Sequence, residues 1–309
     1  MKVLKLNISI FLILAMLLCM PSLLFAETEE KIEKTFAFDG DGKVYVENIS
    51  GSIIVKSWHK NEIKIFARKT AREKSLLDEA TVDINQTNSN IRIITRHNKP
   101  LDLSQPTDVS VYYDLMIPDK AQLRVKSMTG AVQAWEIGGR TDVETAGGRV
   151  EIVKAGQDVK CKTVSGEMYL EDIAGNAALE STSGKIIADG LKGSIEANSV
   201  SGDIEIKKFS SADDIKIETI KGNMEVQGTL SPGGIYEFNT ISGRIELVLP
   251  PASDFELQID TVNGDIQSAF ELSKYAVYTR NKLQGIVGKG GSSLKVSSMS
   301  GDILLKKGM

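Results

Sequence analysis

Three glutamates at one repeated spacing are the side chains of this sequence best placed for chemistry. Glu205, Glu225 and Glu246 each stand three residues after a glycine, in stretches that alternate polar and apolar residues. On β-strands, this alternation brings the three side chains to one outer face, where stacked carboxylates could bind calcium or act as acid and base on a polysaccharide. A solvated strand face also requires polar residues at these positions, so we treat the glutamates as surface candidates only.

Other reactive side chains are scarce. The 309-residue sequence has two histidines, His59 and His97, and two cysteines, Cys19 and Cys161. Cys19 lies in an apolar leader, and without it three residues remain, fewer than a structural zinc site needs. We expect His59 to be a turn side chain and Cys161 to be a small core residue. The sequence therefore predicts no catalytic residue, no metal and no cofactor.

Three aromatic residues, Trp58, Trp135 and Tyr169, could stack on sugars. Together with the outward glutamates they define an alternative function, a carbohydrate-binding or carbohydrate-active protein. Packing in the core or at a corner explains these aromatic side chains at least as well.

The glutamates belong to a repeat that organises most of the chain. The repeat consists of a hydroxyl residue, an apolar or small residue, a position that is usually serine, then glycine, any residue and an aliphatic residue. It recurs at steps of 18 residues that later lengthen to 20, 21 and 37. The repeat glycines are Gly130, Gly148, Gly166, Gly184, Gly202, Gly222, Gly243, Gly264 and Gly301. A fixed period of this kind indicates a stacked repeat architecture.

The repeat predicts two short strands joined by a bend at the glycine. The residues two after and five before the glycine are apolar or small in every copy, so both columns must face inward. Eighteen residues are too few for a strand–helix crossover unit with its loops. We predict an all-β fold, a single-stranded right-handed-type β-solenoid of 18–21-residue rungs with irregular N-terminal strands.

A hydroxyl stands three residues before the glycine in all nine copies. We expect these hydroxyls to bond to each other or to the backbone of the next rung, as a ladder, because a nucleophile would be unique. The glycines should be bend residues that need positive φ or a close backbone approach.

The end of the repeat region departs from this regularity. Residues 268–291 predict a long loop or an irregular rung, because the last step is about one rung longer than the others. The final strand, from Ser298 to Lys306, should be a terminal strand whose lysines guard a sheet edge.

The first 26 residues predict an exported protein. They combine a basic start, an apolar run and Ala26 before an acidic stretch, which is typical of a cleaved secretory signal. The remainder has 35 basic and 41 acidic side chains, a net charge of −6, which argues against nucleic acid as a partner. We expect a periplasmic, extracellular or cell-surface location, and no membrane span after cleavage. Residues 27–120 should form an N-terminal β-strand region continuous with the β-solenoid repeat region, residues 121–309.

Several motifs together resemble a bacterial family. An opening strand reads Glu-Asn-Ile-Ser-Gly-Ser-Ile at residues 47–53, Trp58 follows, a later strand ends at Pro118, and rungs read Val-Ser-Gly-Asp-Ile, as at residues 200–204. This arrangement resembles the adhesin-like family of exported bacterial β-strand repeat proteins, a domain of unknown function, from about Phe36 to Leu305. The resemblance implies a β-solenoid-like fold at the cell envelope and supplies no catalytic residue.

The predicted function is that of an exported, non-catalytic β-repeat protein. It would act as an adhesin-like, scaffolding or envelope-interaction module, with an envelope protein or a glycan as its partner.

Overall fold

The computed structural model describes residues 28–87, 89–99, 107–210, 212–273 and 276–308. The predicted secretory signal, residues 1–26, lies outside the described residues. Within them the chain forms 27 strands and one short 3₁₀ helix, Lys74–Glu79. The strands make two sheets, here called sheet 1, with 13 strands, and sheet 2, with 14.

Eleven rungs form the body of the fold, and each gives one strand to each sheet. Those in sheet 2 are β2 (Lys43–Asn48), β6 (Asn90–His97), β8 (Gln122–Ser127), β10 (Thr141–Thr145), β12 (Val159–Thr163), β14 (Ala177–Ser181), β16 (Ile195–Ser199), β18 (Asp214–Lys221), β20 (Ile235–Ser242), β22 (Phe255–Asn263) and β26 (Ser293–Ser300). The strands that follow them in sheet 1 are β3 (Ile53–Trp58), β7 (Val109–Pro118), β9 (Val132–Trp135), β11 (Val150–Ala155), β13 (Met168–Ile173), β15 (Ile186–Leu191), β17 (Ile204–Phe209), β19 (Met224–Gly228), β21 (Ile245–Leu249), β23 (Ile266–Ser268) and β27 (Ile303–Lys307).

Five further strands pair antiparallel at the ends of the sheets. β1 (Thr28–Ala37) pairs with β4 (Glu62–Ala71), and β4 extends sheet 1 beyond β7. β5 (Ala80–Thr87) pairs with β6 at the same end of sheet 2. At the other end, β24 (Val277–Thr279) and β25 (Lys282–Val287) form a hairpin that pairs with β22.

The core lies between the two sheets and follows from the two-residue period. Val143 pairs with Cys161, Cys161 with Leu179, and Leu179 with Ala197 along one parallel register, and none of these side chains is exposed. Their neighbours on each strand face solvent. Parallel rungs stacked in register around one apolar core confirm the predicted β-solenoid.

The order of rungs in space differs from their order in the sequence at both ends. The rung β2–β3 lies between β6–β7 and β8–β9, and the rung β26–β27 lies between β20–β21 and β22–β23. Residues 268–291, predicted as a long loop or an irregular rung, contain the hairpin β24–β25, which occupies residues 277–287. The prediction that Lys306 and Lys307 guard an edge was wrong, since β27 is an interior strand and Lys306 lies 2.5 Å from Glu246.

A second corner was missed by sequence reasoning. Six residues after the repeat glycine, five successive rungs place a residue with φ between 52° and 73°: Glu136, Lys154, Asp172, Gly190 and Lys208. Each left-handed residue interrupts the two-residue alternation, so the following side chain also points inward. The side chains turned inward in this way are Ile137, Ala155, Ile173, Leu191 and Phe209.

Candidate functional site: a groove along the turns

The repeat glycines form a column at the bends that leave sheet 2. A Cβ built on Gly148 would lie 1.9 Å from the carbonyl oxygen of Gly130, and one on Gly166 would lie 2.0 Å from that of Gly148. Both distances are far inside van der Waals contact, so these positions exclude any side chain. Among the nine, positive φ occurs at Gly243 alone, which makes close backbone approach the general reason for the glycines.

The hydroxyl column is buried directly behind these bends. In the rungs from Ser127 to Ser199, each hydroxyl bonds to the glycine three residues later in its own turn. The N–H of Gly166, for example, donates to Thr163 Oγ1 at 2.8 Å, and Ser181 Oγ donates to the carbonyl of Gly184 at 2.7 Å. The prediction that the hydroxyls bond to each other or to the next rung was therefore wrong for these five rungs.

The last four hydroxyls in the sequence have no hydrogen-bond partner within the described residues: Thr219, Thr240, Thr261 and Ser298. The turn changes there, because the N–H of Gly222 donates to Ser242 O and that of Gly243 to Ser300 O in the neighbouring rung. Once the glycine N–H bonds outside its own turn, the hydroxyl loses its donor. Each unpartnered hydroxyl stays more than nine-tenths buried.

A groove of about 1320 Å³ runs along this side of the solenoid. Three columns line it, at positions four, three and two before the repeat glycine, together with Glu47, Asn48 and Ile49 of β2 and its turn. We call it the turn groove. The column two before the glycine carries exposed apolar side chains on six rungs, with Thr182 between the first two of them: Val164, Val200, Ile220, Ile241, Val262 and Met299. Exposures of 44–60% make this an open apolar strip along the stack.

Carboxylates outnumber lysines beside the apolar strip, but most of the carboxylates are paired. Lys126 lies 3.2 Å from Glu144, and Lys162 lies 2.5 Å from Glu180, in the column four before the glycine. Exposed pairs of this kind contribute less than about 1 kcal/mol each to stability. Two of the other three carboxylates that line the groove also lie within 4.0 Å of a lysine, so the groove combines an apolar strip with mostly paired charges.

The three candidate glutamates lie elsewhere, on the outer face of sheet 1. Glu205, Glu225 and Glu246 are register neighbours on β17, β19 and β21. Hydrogen bonds from Lys185, at 2.7 Å, and from Lys207 lower the pKa of Glu205. Glu246 is 2.5 Å from Lys306. A general acid needs a raised pKa, so the surroundings of Glu205 oppose that role.

The predicted sugar-stacking aromatics are tied to the surface of sheet 1. Trp58 Nε1 donates to the carbonyl of Glu62, and Lys60 lies 4.5 Å from the centre of the Trp58 ring. Lys56 lies 4.8 Å from the centre of the Trp135 ring. The hydroxyl of Tyr169 donates to Glu171 at 2.7 Å. The three rings do not line the turn groove.

The remaining two candidates, His59 and Cys161, have simple surroundings. His59 is exposed, and its Nδ1 lies 3.0 Å from Asp119 Oδ2. Cys161 is fully buried in the core, and burial raises the pKa of its thiol. Within the described residues, no three His, Cys, Asp or Glu side chains cluster closely enough to hold a metal ion. The same residues contain no helix of the length and hydropathy that would cross a bilayer.

Sequence reasoning missed a buried polar network at the first rungs. Asn48 stands three before Gly51, where later rungs have a hydroxyl, and its Nδ2 donates to the carbonyls of Ser50, Gly51 and Val111. Thr95 Oγ1 donates to Asn48 Oδ1 at 2.8 Å and lies 2.7 Å from the Tyr113 hydroxyl. The signal in the sequence that could have indicated this network is Asn48 itself, which stands where later rungs have a hydroxyl residue.

The fold and its turns define the class of this protein, a β-solenoid of parallel two-strand rungs with glycine-packed bends. The chain belongs to the Toastrack DUF4097 family, whose family model matches residues 39–306. This membership confirms the resemblance to an adhesin-like domain of unknown function.

Two solved structures are similar to this chain. A putative lipid binding protein from Parabacteroides distasonis is 12% identical, with 90% of this chain and 97% of that chain covered and a TM-score of 0.53. A putative adhesin from Bacteroides fragilis is also 12% identical, with 89% and 96% covered and a TM-score of 0.43. At these identities the first likeness shows the fold alone, and the second is too distant to argue from. A search of curated proteins found no match.

Proposed function

We propose that this protein is an exported, non-catalytic, adhesin-like binding module that holds its partner in the turn groove. The observation that carries the proposal is the strip of exposed Val, Ile and Met side chains that continues over successive rungs. A water-exposed apolar strip of this length costs solubility, and monomeric proteins that keep one generally use it for binding.

Two features support a role without catalysis. The hydroxyls beside the groove recur in all nine copies of the repeat and are buried, so none of them is singled out as a nucleophile. The carboxylates that could serve as acid and base lie on the other sheet, and Glu205 is held ionised by two lysines. The similar solved structure with a TM-score of 0.53 is named a putative lipid binding protein, which agrees with a binding role.

The test compares two double variants that each replace two half-exposed aliphatic residues by aspartate. Val200→Asp with Ile241→Asp changes the turn groove. Ile235→Asp with Ile286→Asp is the matched control, because these side chains are 49% and 42% exposed and lie outside the groove. Beads coated with each protein are incubated with purified envelope fragments of the cells that make the protein, and the bound fragments are measured.

We expect the groove variant to lose at least about tenfold of its binding and the control to change less than about twofold. Equal binding by all three proteins would remove the turn groove as the binding surface. If the unmodified protein bound no envelope fragments, the proposal that its partner belongs to the cell envelope would be contradicted. Circular dichroism melting of each variant shows that the fold is retained.

A further inference from the structure

A second surface, on the outer face of sheet 2, concentrates positive charge, although the protein as a whole is acidic. It is a shallow depression of about 770 Å³ on the outer face of β6, β2, β8 and β10. Five basic residues line it around Tyr45: Lys43, Arg92, Arg124, Lys126 and Arg140. We call this surface the basic pocket.

The parallel register sets the spacing of these cations. Tyr45 pairs with Arg92 on one side and with Arg124 on the other, and Lys43 pairs with Asn90 and Gln122. Neighbouring strands are about 4.8 Å apart, and successive outward residues on a strand are roughly 7 Å apart. The cations therefore form two short parallel rows on a flat surface.

Most of this charge is not compensated. Lys43, Arg92 and Arg140 have no carboxylate oxygen within 4.0 Å among the described residues, whereas Lys126, which also lines the turn groove, lies 3.2 Å from Glu144. Asp142 is the one carboxylate that lines the pocket, and it lies 3.8 Å from Arg124, which is a loose contact. Like charges kept side by side without counter-ions favour an external anion.

Tyr45 gives the pocket a fixed centre. Its hydroxyl donates to Glu47 Oε2 at 2.6 Å, which holds the ring in place, and the Arg92 guanidinium carbon lies 5.1 Å from the ring centre. The ring stacks with Arg92, so that guanidinium keeps its edge free to form paired hydrogen bonds with a carboxylate or sulfate.

We propose that the basic pocket binds an acidic polysaccharide, a linear chain that carries repeated carboxylate or sulfate groups. The cations are spread over four strands and do not converge on one point, which suits a polymer with spaced charges better than a single small anion. A duplex nucleic acid is disfavoured by the chain's net charge of −6 once the leader is removed. A lipid surface is disfavoured because the aliphatic residues lining the pocket, Val44, Ile91 and Leu123, are buried. This inference does not depend on the function proposed for the turn groove.

The experiment is calorimetric titration of the purified chain with polygalacturonate, heparin and neutral dextran at an ionic strength of about 0.15 M. We expect binding of the carboxylated or the sulfated polymer, weaker binding as salt is raised, and none of dextran. Comparison of polygalacturonate with heparin separates carboxylate from sulfate recognition. Absence of binding to both acidic polymers, or equal binding of dextran, would overturn the proposal.

Matched double variants separate the pocket from bulk charge. Arg92→Gln with Arg140→Gln removes two pocket cations. Lys216→Gln with Lys295→Gln removes two cations from the same face of sheet 2, where each is paired with a carboxylate. We expect at least a tenfold loss of affinity in the pocket variant and less than about a twofold change in the control.

Equal losses in both variants would mean that bulk charge alone attracts the polymer, and the proposal would fail. Duplex DNA and phosphatidylglycerol vesicles are titrated in parallel. If either binds more tightly than both polysaccharides and loses binding in the pocket variant, the assignment to an acidic polysaccharide is wrong. Unchanged melting temperatures in both variants exclude a folding defect.

Discussion

At the scale of single residues, the repeat positions divide into those fixed by contact and those free to vary. The glycine at each bend touches the backbone of the preceding rung, whereas its neighbours face solvent. The difference is sharp enough that two adjacent glycines, Gly147 and Gly148, have opposite roles. Gly147 is exposed, and a Cβ there would meet nothing closer than 3.7 Å.

Gly148→Ala should therefore destabilise the protein by about 2–4 kcal/mol, because its Cβ would overlap the Gly130 carbonyl and force the two rungs apart. Gly147→Ala should change the free energy of unfolding by less than about 0.5 kcal/mol. Urea unfolding followed by circular dichroism measures both. Similar values for the two variants would show that the rungs are not packed as tightly as described.

Glu205 gives a prediction about pH. Its pKa is lowered in the folded protein by Lys185 and Lys207, so the carboxylate adds stability above its unfolded pKa and loses that contribution as pH falls through the folded pKa. Glu205→Gln should cost about 1 kcal/mol or less at pH 7, and the difference from the unmodified protein should vanish well below the unfolded pKa of about 4.3.

Glu225→Gln is the control for this experiment, since Glu225 is the register neighbour of Glu205 and has no lysine or arginine nitrogen within 4.0 Å among the described residues. Urea unfolding at pH 7 and at a pH well below about 4.3 measures the free energy of unfolding of each protein. A cost for Glu205→Gln that persists in acid would point to packing and not to charge.

At the scale of elements, the turn exists in two forms. In the rungs from Ser127 to Ser199 the hydroxyl and the glycine bond within one turn. In the last four the strand of sheet 2 runs further, and Gly222, Gly243 and Gly301 donate to a neighbouring rung. The hydroxyl therefore contributes differently to stability in the two forms of the turn. The same substitution should change the free energy of unfolding by different amounts in the two groups of rungs.

Thr163→Val removes a hydroxyl that accepts a hydrogen bond from Gly166 N–H, and should destabilise the protein by about 1–2 kcal/mol. Thr240→Val replaces a buried hydroxyl with no partner by a methyl group of the same shape. It should leave the free energy of unfolding unchanged or raise it by up to about 1 kcal/mol. Equal costs at both positions, measured by urea unfolding, would contradict the two forms of the turn.

The sequence was sufficient to predict the β-solenoid because inward columns such as Val143, Cys161 and Leu179 follow a strict two-residue period. It did not predict the second corner, since the left-handed residues there include Glu136, Lys154 and Lys208, which carry no turn signal of their own. The apolar residues of the strip are visible in the repeat motif. The two-residue period assigns apolar side chains to the core, however, and so does not predict exposed valines and isoleucines. The basic pocket depends on β6 and β2 being adjacent, which the repeat spacing does not contain.

At the scale of the whole molecule, the rung β26–β27 connects two parts of the stack. It pairs with β20–β21 on one side and with β22–β23 on the other, so its removal breaks two interfaces in each sheet. By contrast, an end rung of a simple solenoid has one interface per sheet to lose.

A chain that stops after Ser268 should therefore unfold at a clearly lower temperature, and its strands β22 and β23 should become sensitive to protease. Melting followed by circular dichroism and limited proteolysis with mass spectrometry test this. An unchanged melting temperature with β22 still protected would mean that β22–β23 has moved directly onto β20–β21.

The same inserted rung has a consequence for the order in which the protein can be assembled. Chains are synthesised from the N-terminus, so β22–β23 exists before the rung that will separate it from β20–β21. During that interval the growing end has a vacant place in each sheet, which only a later part of the chain can fill. Most of the stack can form progressively, but its last two rungs, β22–β23 and β26–β27, can close only after the chain has been synthesised through Lys307.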